Sequence, residues 1–205
     1  MAFPVLFDAC VLAPYPLLNV FLRLADEGIY RPLWSHDILA ETRRTMVDKL
    51  GVAPEKADKR LNMMRENFID AEVTGYQELI GAMRNNEKDR HVLAAAVRER
   101  AEVIVTADRA GFPPECVQPY SIEVRHPDDF LLDQIDLYEN AVHSALLGIL
   151  AAWTNPPFTA HQFLDVLART QVPKFAAEAR RLFPPPPEAE GRPRKAHGRH
   201  RYPRR

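Results

Sequence analysis

Short apolar runs and helical periodicities alternate along the first 125 residues. FPVLF (Phe3 to Phe7) is a continuous apolar run of strand length. Behind Pro14 and Pro16, Leu17, Val20, Phe21 and Leu24 recur at helical spacing, and the pattern stops near Gly28. Tyr30 to Trp34 predicts a second strand. Ser35 then stands as N-cap ahead of Ile38 and Leu39, predicting a helix to about Leu50 that Gly51 ends. A helix is predicted over Pro54 to Asn67, a strand near Asp70 to Val73, a short helix around Tyr76 to Met83, and a loop over Arg84 to Lys88. Val92, Leu93, Ala96 and Val97 mark a helix with Asp89 at its amino end, VIVT (Val103 to Thr106) reads as a strand, and Ser121 to Val124 as a last one. Strand and helix alternating in this way imply an α/β fold, a parallel sheet with helices on both faces.

Beyond His126 the pattern is helical only: Phe130 to Tyr138, Val142 to Trp153, Ala160 to Arg169 and Lys174 to Leu182. The helices are short and their links brief, which predicts an extension packed on the core. The expected organisation is an α/β domain over 1–126, a helical extension over 127–183 and a tail over 184–205.

Composition adds limits. A chain of 205 residues, 46% hydrophobic, supports one full core with appendages. Two cysteines, Cys10 and Cys116, are too few for a disulfide framework and fit a reducing, cytoplasmic compartment. No secretory leader pattern and no apolar run of membrane-spanning length is present, so no membrane role is expected. The net charge of −1 conceals an asymmetry: seven of the 27 bases lie from Pro184 onward, against only Glu188 and Glu190 of the 28 acids. That tail is rich in proline and arginine and nearly without aliphatic side chains, which predicts disorder and weak electrostatic attraction to nucleic acid, with Tyr202 available for stacking.

The candidate chemistry lies in four carboxylates. Asp8 ends the first strand and Asp108 follows the fourth, both at the carboxyl edge where parallel sheets bind ligands. Glu41 falls in the second turn of its helix, and Asp89 sits at a helix amino terminus, where an anion gains from the dipole. Four such groups drawn together would repel one another, and a divalent cation relieves the conflict. Ligation by oxygen alone selects Mg²⁺ or Mn²⁺ and suits phosphodiester hydrolysis. Glu41 or Asp89 taken singly would be an ordinary surface acid or cap. His91, two residues after Asp89, is read as a surface or partner-contact residue, and the other histidines have no zinc spacing. A glycine-rich phosphate loop is lacking. Arg43, Arg44, Lys49, Lys56, Lys59 and Arg60 read equally as a basic rim for RNA or as solvated helix faces.

The segments VLFDACVL, LRLADEGIYRPLWSHDILAET, DRHVLAAAV and VIVTADRAGFP, in that order over residues 3 to 115, resemble the PIN-domain proteins, metal-dependent ribonucleases that include VapC-type toxins. FLDVLARTQVPKFAAEAR resembles the helical tail of a bacterial subgroup. The resemblance implies a sheet in the order 3-2-1-4-5 and an acidic pocket of Asp8, Glu41, Asp89 and Asp108, with Asp8, Asp89 and Asp108 as ligands of Mg²⁺ or Mn²⁺. Thr106 and Ser35 match supporting hydroxyl residues. The resemblance further implies an endoribonuclease toxin, a homodimer, an RNA substrate and a small DNA-binding antitoxin protein as partner. Asn19, Asn86 and Gly111 stand where relatives often carry acids, so the outer charge is thinned. The alternative is an impaired PIN domain that binds RNA or protein without cleaving. A phosphoacceptor receiver domain is disfavoured, because no paired acids precede Asp8.

Overall fold

The computed structural model of the chain describes residues 2–154 and 157–184. Five strands, β1 (Phe3–Phe7), β2 (Tyr30–Ser35), β3 (Glu72–Val73), β4 (Val103–Val105) and β5 (Glu123–Arg125), form one sheet in the order β3-β2-β1-β4-β5. Every pairing is parallel; Phe3 aligns with Tyr30, Val5 with Val103, Val103 with Glu123 and Trp34 with Glu72. The order is the one the resemblance implies. Central β1 buries Val5, Leu6 and Phe7 completely or nearly so, as a strand covered on both faces must. Pro32 is tolerated inside β2 because β3 pairs only with Trp34 and Ser35, so no ladder on that side needs its missing N–H.

Helices fill each crossover. Helices α1 (Ala9–Leu12) and α2 (Tyr15–Asp26) join β1 to β2; α3 (His36–Arg44) and α4 (Pro54–Asn67) join β2 to β3; α5 (Gln77–Ile80) and α6 (Arg90–Arg98) join β3 to β4; α7 (Pro114–Val117) leads into β5. Several elements are shorter than the hydrophobic pattern predicts, and in three of them the local reason is plain. Helix α3 passes into a π-helical turn at Thr45–Lys49 before Gly51, at φ +65°, ends it. Ile69–Ala71 takes a 3-10 turn, which delays β3 to Glu72. Ser121 adopts a left-handed φ of 57°, closing a turn, so β5 begins at Glu123.

Four more helices follow: α8 (Pro127–Leu137), α9 (Glu139–Ala152), α10 (Ala160–Ala168) and α11 (Pro173–Ala179). Phe130 of α8 joins the aromatic cluster of the core, its ring 6.3 Å from Phe7, 6.0 Å from Phe21 and 5.4 Å from Tyr30. Buried Asp128 accepts the backbone N–H groups of Lys174 (3.1 Å) and Phe175 (2.8 Å), tying α8 to the first turn of α11. Thr159 and Gln162 close a reciprocal capping box at the start of α10. Among the described residues no helix is long and apolar enough to cross a membrane. The basic tail predicted from residue 184 lies, past Pro184, outside the described residues.

Candidate active site

Asp8 follows β1 directly, where its N–H donates to the Val105 carbonyl (3.1 Å) and extends the β1–β4 pairing by one rung. Its buried carboxylate is held at three points. Oδ1 accepts the Ala9 N–H (2.7 Å), capping α1, and Oδ2 accepts the Thr106 hydroxyl (2.6 Å) and the Cys10 thiol (3.3 Å). Thr106, fully buried at the end of β4, also accepts the Asp108 N–H (3.1 Å), so one hydroxyl orients two acids. Burial and the neighbouring Asp8 charge push the Cys10 thiol up to about 12, which keeps it protonated as a hydrogen-bond donor and inert as a nucleophile.

Asp89 occupies the N-cap position of α6 and yet makes no side-chain cap bond. Its Oδ2 is buried without a hydrogen-bond partner. Burial raises its carboxyl to about 6; the Lys88 charge opposes the rise, and Asp8, Asp108 and Glu41 add to it. The other three predicted acids therefore lie within electrostatic reach of Asp89. Asp108, half-exposed, is held below the usual carboxylate range, chiefly by its hydrogen bond from Lys88. The Lys88 ammonium sits 2.8 Å from Asp108 Oδ2 and 3.9 Å from Asp89 Oδ2.

Two asparagines bind the loop before α6 to the loop after β4. Buried Asn85 donates from Nδ2 to the Gly111 carbonyl (3.3 Å), and the Asn86 N–H donates to the same oxygen (3.2 Å). Asn86 also accepts the Lys88 N–H through its side chain (3.4 Å), so in place of an acid it supplies a local cap. Gly111 is close against Asp89: a Cβ there would fall 2.2 Å from Asp89 Oδ2. Glu41, on α3, is half-exposed and lies 3.8 Å from the Nε2 of His91, whose Nδ1 is buried and unpartnered. That corrects the surface half of the reading of His91 as a surface or partner-contact residue: on α6 it is mostly buried and faces the glutamate. Ser35 is fully buried at the end of β2 and accepts the Ile38 N–H (3.2 Å), setting the start of the helix that carries Glu41.

Asn19 is elsewhere. With Tyr15, Lys56, Lys59, Arg60 and Met63 it lines a groove of about 430 Å³ between α2 and α4. Two residues of the basic rim are engaged: in this groove the Arg60 guanidinium stacks 4.5 Å over Tyr15, and outside it Arg43 pairs with Asp58 at 2.5 Å. Among the described residues, no three His, Cys, Asp or Glu side chains are arranged as a ready-made metal cage. The donor set still suits a hard divalent cation, because the acids share one edge, one carboxylate oxygen is buried and unpartnered, and the cation among them is a tethered lysine. Sequence reasoning missed Lys88 and Asn85. In a polar run such as RNNEKD nothing separates a solvated lysine from one folded back between two aspartates.

A curated protein named "Putative ribonuclease VapC50", from Mycobacterium tuberculosis (strain ATCC 25618 / H37Rv), is 62% identical over 110 residues, which span 54% of this chain and 64% of that protein. No solved structure matches the chain. The family model of the VapC50 C-terminal domain matches residues 127–181, and the PIN-domain model matches residues 4–110. The second match takes in more than half of the chain and holds all four acids, and on it the protein belongs to the PIN-domain family.

Proposed function

We propose that the protein is a metal-dependent endoribonuclease, the toxin of a toxin–antitoxin pair, with its nuclease site in residues 1–126 and the helices of 127–183 packed against it. The observation that carries this reading is Asp89, a carboxylate with a buried, unpartnered oxygen among three other acids at the carboxyl edge of a PIN-type sheet. A relative bearing the name ribonuclease supports it. Asp8, Asp89 and Asp108 would hold Mg²⁺ or Mn²⁺, and the ion's contribution would be to acidify water and offset charge on the phosphate.

The chain's own residues set the rest. Thr106 and the Ala9 N–H fix the Asp8 carboxylate, which removes the need to reorganise it during the reaction. Glu41, half-exposed and beside His91, would ligate the ion, or position the attacking water and take its proton as the water oxygen bonds to phosphorus; the bond from phosphorus to the leaving oxygen breaks and that oxygen takes up a proton from solvent. RNA is the substrate, and a small DNA-binding antitoxin and a second copy of the chain are the expected partners. Asp8→Asn keeps shape and removes charge. Cleavage of a mixed RNA pool under Mg²⁺ should fall at least about 100-fold in that variant, and an unchanged rate would sink the assignment.

One observation favours a second reading, a domain that binds without cleaving: Lys88 already neutralises part of the cluster. Under that reading neither Mg²⁺ nor Mn²⁺ binds at millimolar concentration, whereas a nuclease must bind one of them.

A further inference from the structure

Lys88 is the feature of the site that the nuclease reading leaves unused. Its side chain is largely exposed at 63%, yet its ammonium is turned back onto Asp108 at 2.8 Å and lies 3.9 Å from Asp89. Long exposed lysines ordinarily keep their heads in water, and an isolated surface pair contributes little. Here the lysine has two carboxylates to neutralise at once, and it approaches the one whose Oδ2 has no other partner. The backbone beneath it is secured by the two bonds from Asn85 and Asn86 to Gly111. Lys88 can therefore swing away by side-chain rotation alone, with Asp89 and Asp108 left where they are.

We propose that Lys88 is a tethered counter-ion that offsets part of the charge of the acid cluster, at Asp108 and Asp89, in the metal-free protein, and that a divalent cation must displace it to enter. The inference rests on the metal-site reading above and concerns how that site is regulated. It gives a physical reason why, among the described residues, no three ligands form a ready-made cage: with a cation already between them, Asp89 and Asp108 have no cause to converge. Metal affinity is lowered by the free energy of breaking the lysine contacts. After displacement the ammonium remains tethered at the mouth of the site, with a charge suited to the anionic backbone of the substrate.

The test is calorimetric titration of MnCl₂ and of MgCl₂ into the full chain and three variants, with no RNA present. Lys88→Met, which keeps the aliphatic stem, should bind metal about five- to tenfold more tightly than the parent, the size expected for one partly screened charge contact. Lys88→Arg keeps the cation and should stay within about twofold of the parent. Arg109→Gln removes one charge from an exposed residue next to Asp108 that takes no part in the cluster, and it too should stay within about twofold. Tightening in Lys88→Met alone supports displacement. Equal tightening in Arg109→Gln would mean a general field effect and overturn it, as would parent-like affinity in Lys88→Met. Absence of binding to every protein would instead remove the metal reading itself, and the inference with it.

Discussion

Two aspartates near helix amino termini have opposite surroundings. Asp128, in the first turn of α8, is buried and accepts two backbone N–H groups from the start of α11. Asp89, at the N-cap of α6, has the position for such bonds and makes none, leaving one oxygen buried and unpartnered. A buried carboxylate with its acceptor positions used is a fastener between helices. One left short of donors, beside three more acids, costs stability unless a cation supplies what is missing. The helical extension is thus built for stability, and the carboxyl edge of the sheet is under an electrostatic strain that suits it to binding.

The largest expected contrast comes from exchanging the damage. Asp8→Asn should reduce RNA cleavage at least about 100-fold at a cost of about 1–2 kcal/mol in unfolding free energy, since one amide oxygen replaces two carboxylate oxygens and either the Thr106 hydroxyl or the Ala9 N–H loses its acceptor. Asp128→Ala should do the reverse. Two buried N–H groups lose their acceptor, for about 3 kcal/mol in urea denaturation, with Mn²⁺ affinity retained below the transition. A fall in metal affinity on removing Asp128 would dissolve the division between the two regions.

Thr106→Val tests whether orientation matters apart from charge. The substitution removes the donor to Asp8 and the acceptor for the Asp108 N–H, inside a fully buried environment. A loss of about 1–2 kcal/mol in stability and about tenfold in cleavage should follow, with metal affinity falling less than in Asp8→Asn. Cleavage at the parent rate would show that the hydroxyl only supports the fold.

How far these roles were legible in the sequence depends on whether local or tertiary forces set them. Asp8 and Asp108 could be placed because apolar runs of strand length precede them, and Ser35 because a cap needs only its own helix. The strand order came from resemblance, since alternation of strands and helices does not rank crossovers. Lys88 could not be assigned, because its partner Asp108 is twenty residues away and their meeting depends on Asn85 and Asn86 reaching Gly111. His91 reads from its own helix as a surface or partner-contact residue, whereas its neighbour in the fold, Glu41, lies on another helix. That Asp89 is a cap residue without a cap bond is likewise a fact of tertiary packing, invisible in DRHVLAAAV.

The raised carboxyl of Asp89 gives a smaller, pH-resolved test. With a folded value of about 6 against about 3.9 in the unfolded chain, the folded state holds more protons between those limits. Stability from this group is therefore fully present below about pH 4 and is lost as pH rises through about 6. Asp89→Asn should flatten that decline in metal-free buffer and raise stability at pH 7 by about 1 kcal/mol, a figure reduced for the part of the side chain that water reaches. An unchanged pH profile would mean that Asp89 is better solvated than its buried oxygen implies.

The smallest effect separates burial from charge at the same carboxylate. In Gly111→Ala the new methyl would lie 2.2 Å from Asp89 Oδ2, a distance that no pair of such atoms sustains. The Gly111 backbone is anchored by two asparagine bonds, so the short Asp89 side chain is the part that yields, turning out toward water. Hydration then removes the main cause of its raised titration, and the carboxyl should move from about 6 toward the ordinary value near 3.9 in a carbon-detected NMR titration. Stability at neutral pH should change by less than about 1 kcal/mol, because relief of desolvation offsets the lost packing. If the titration stays where it was and stability instead drops by about 2 kcal/mol or more, Asp89 is clamped by packing, and the strain at the sheet edge belongs to the fold and not to a carboxylate poised for a cation.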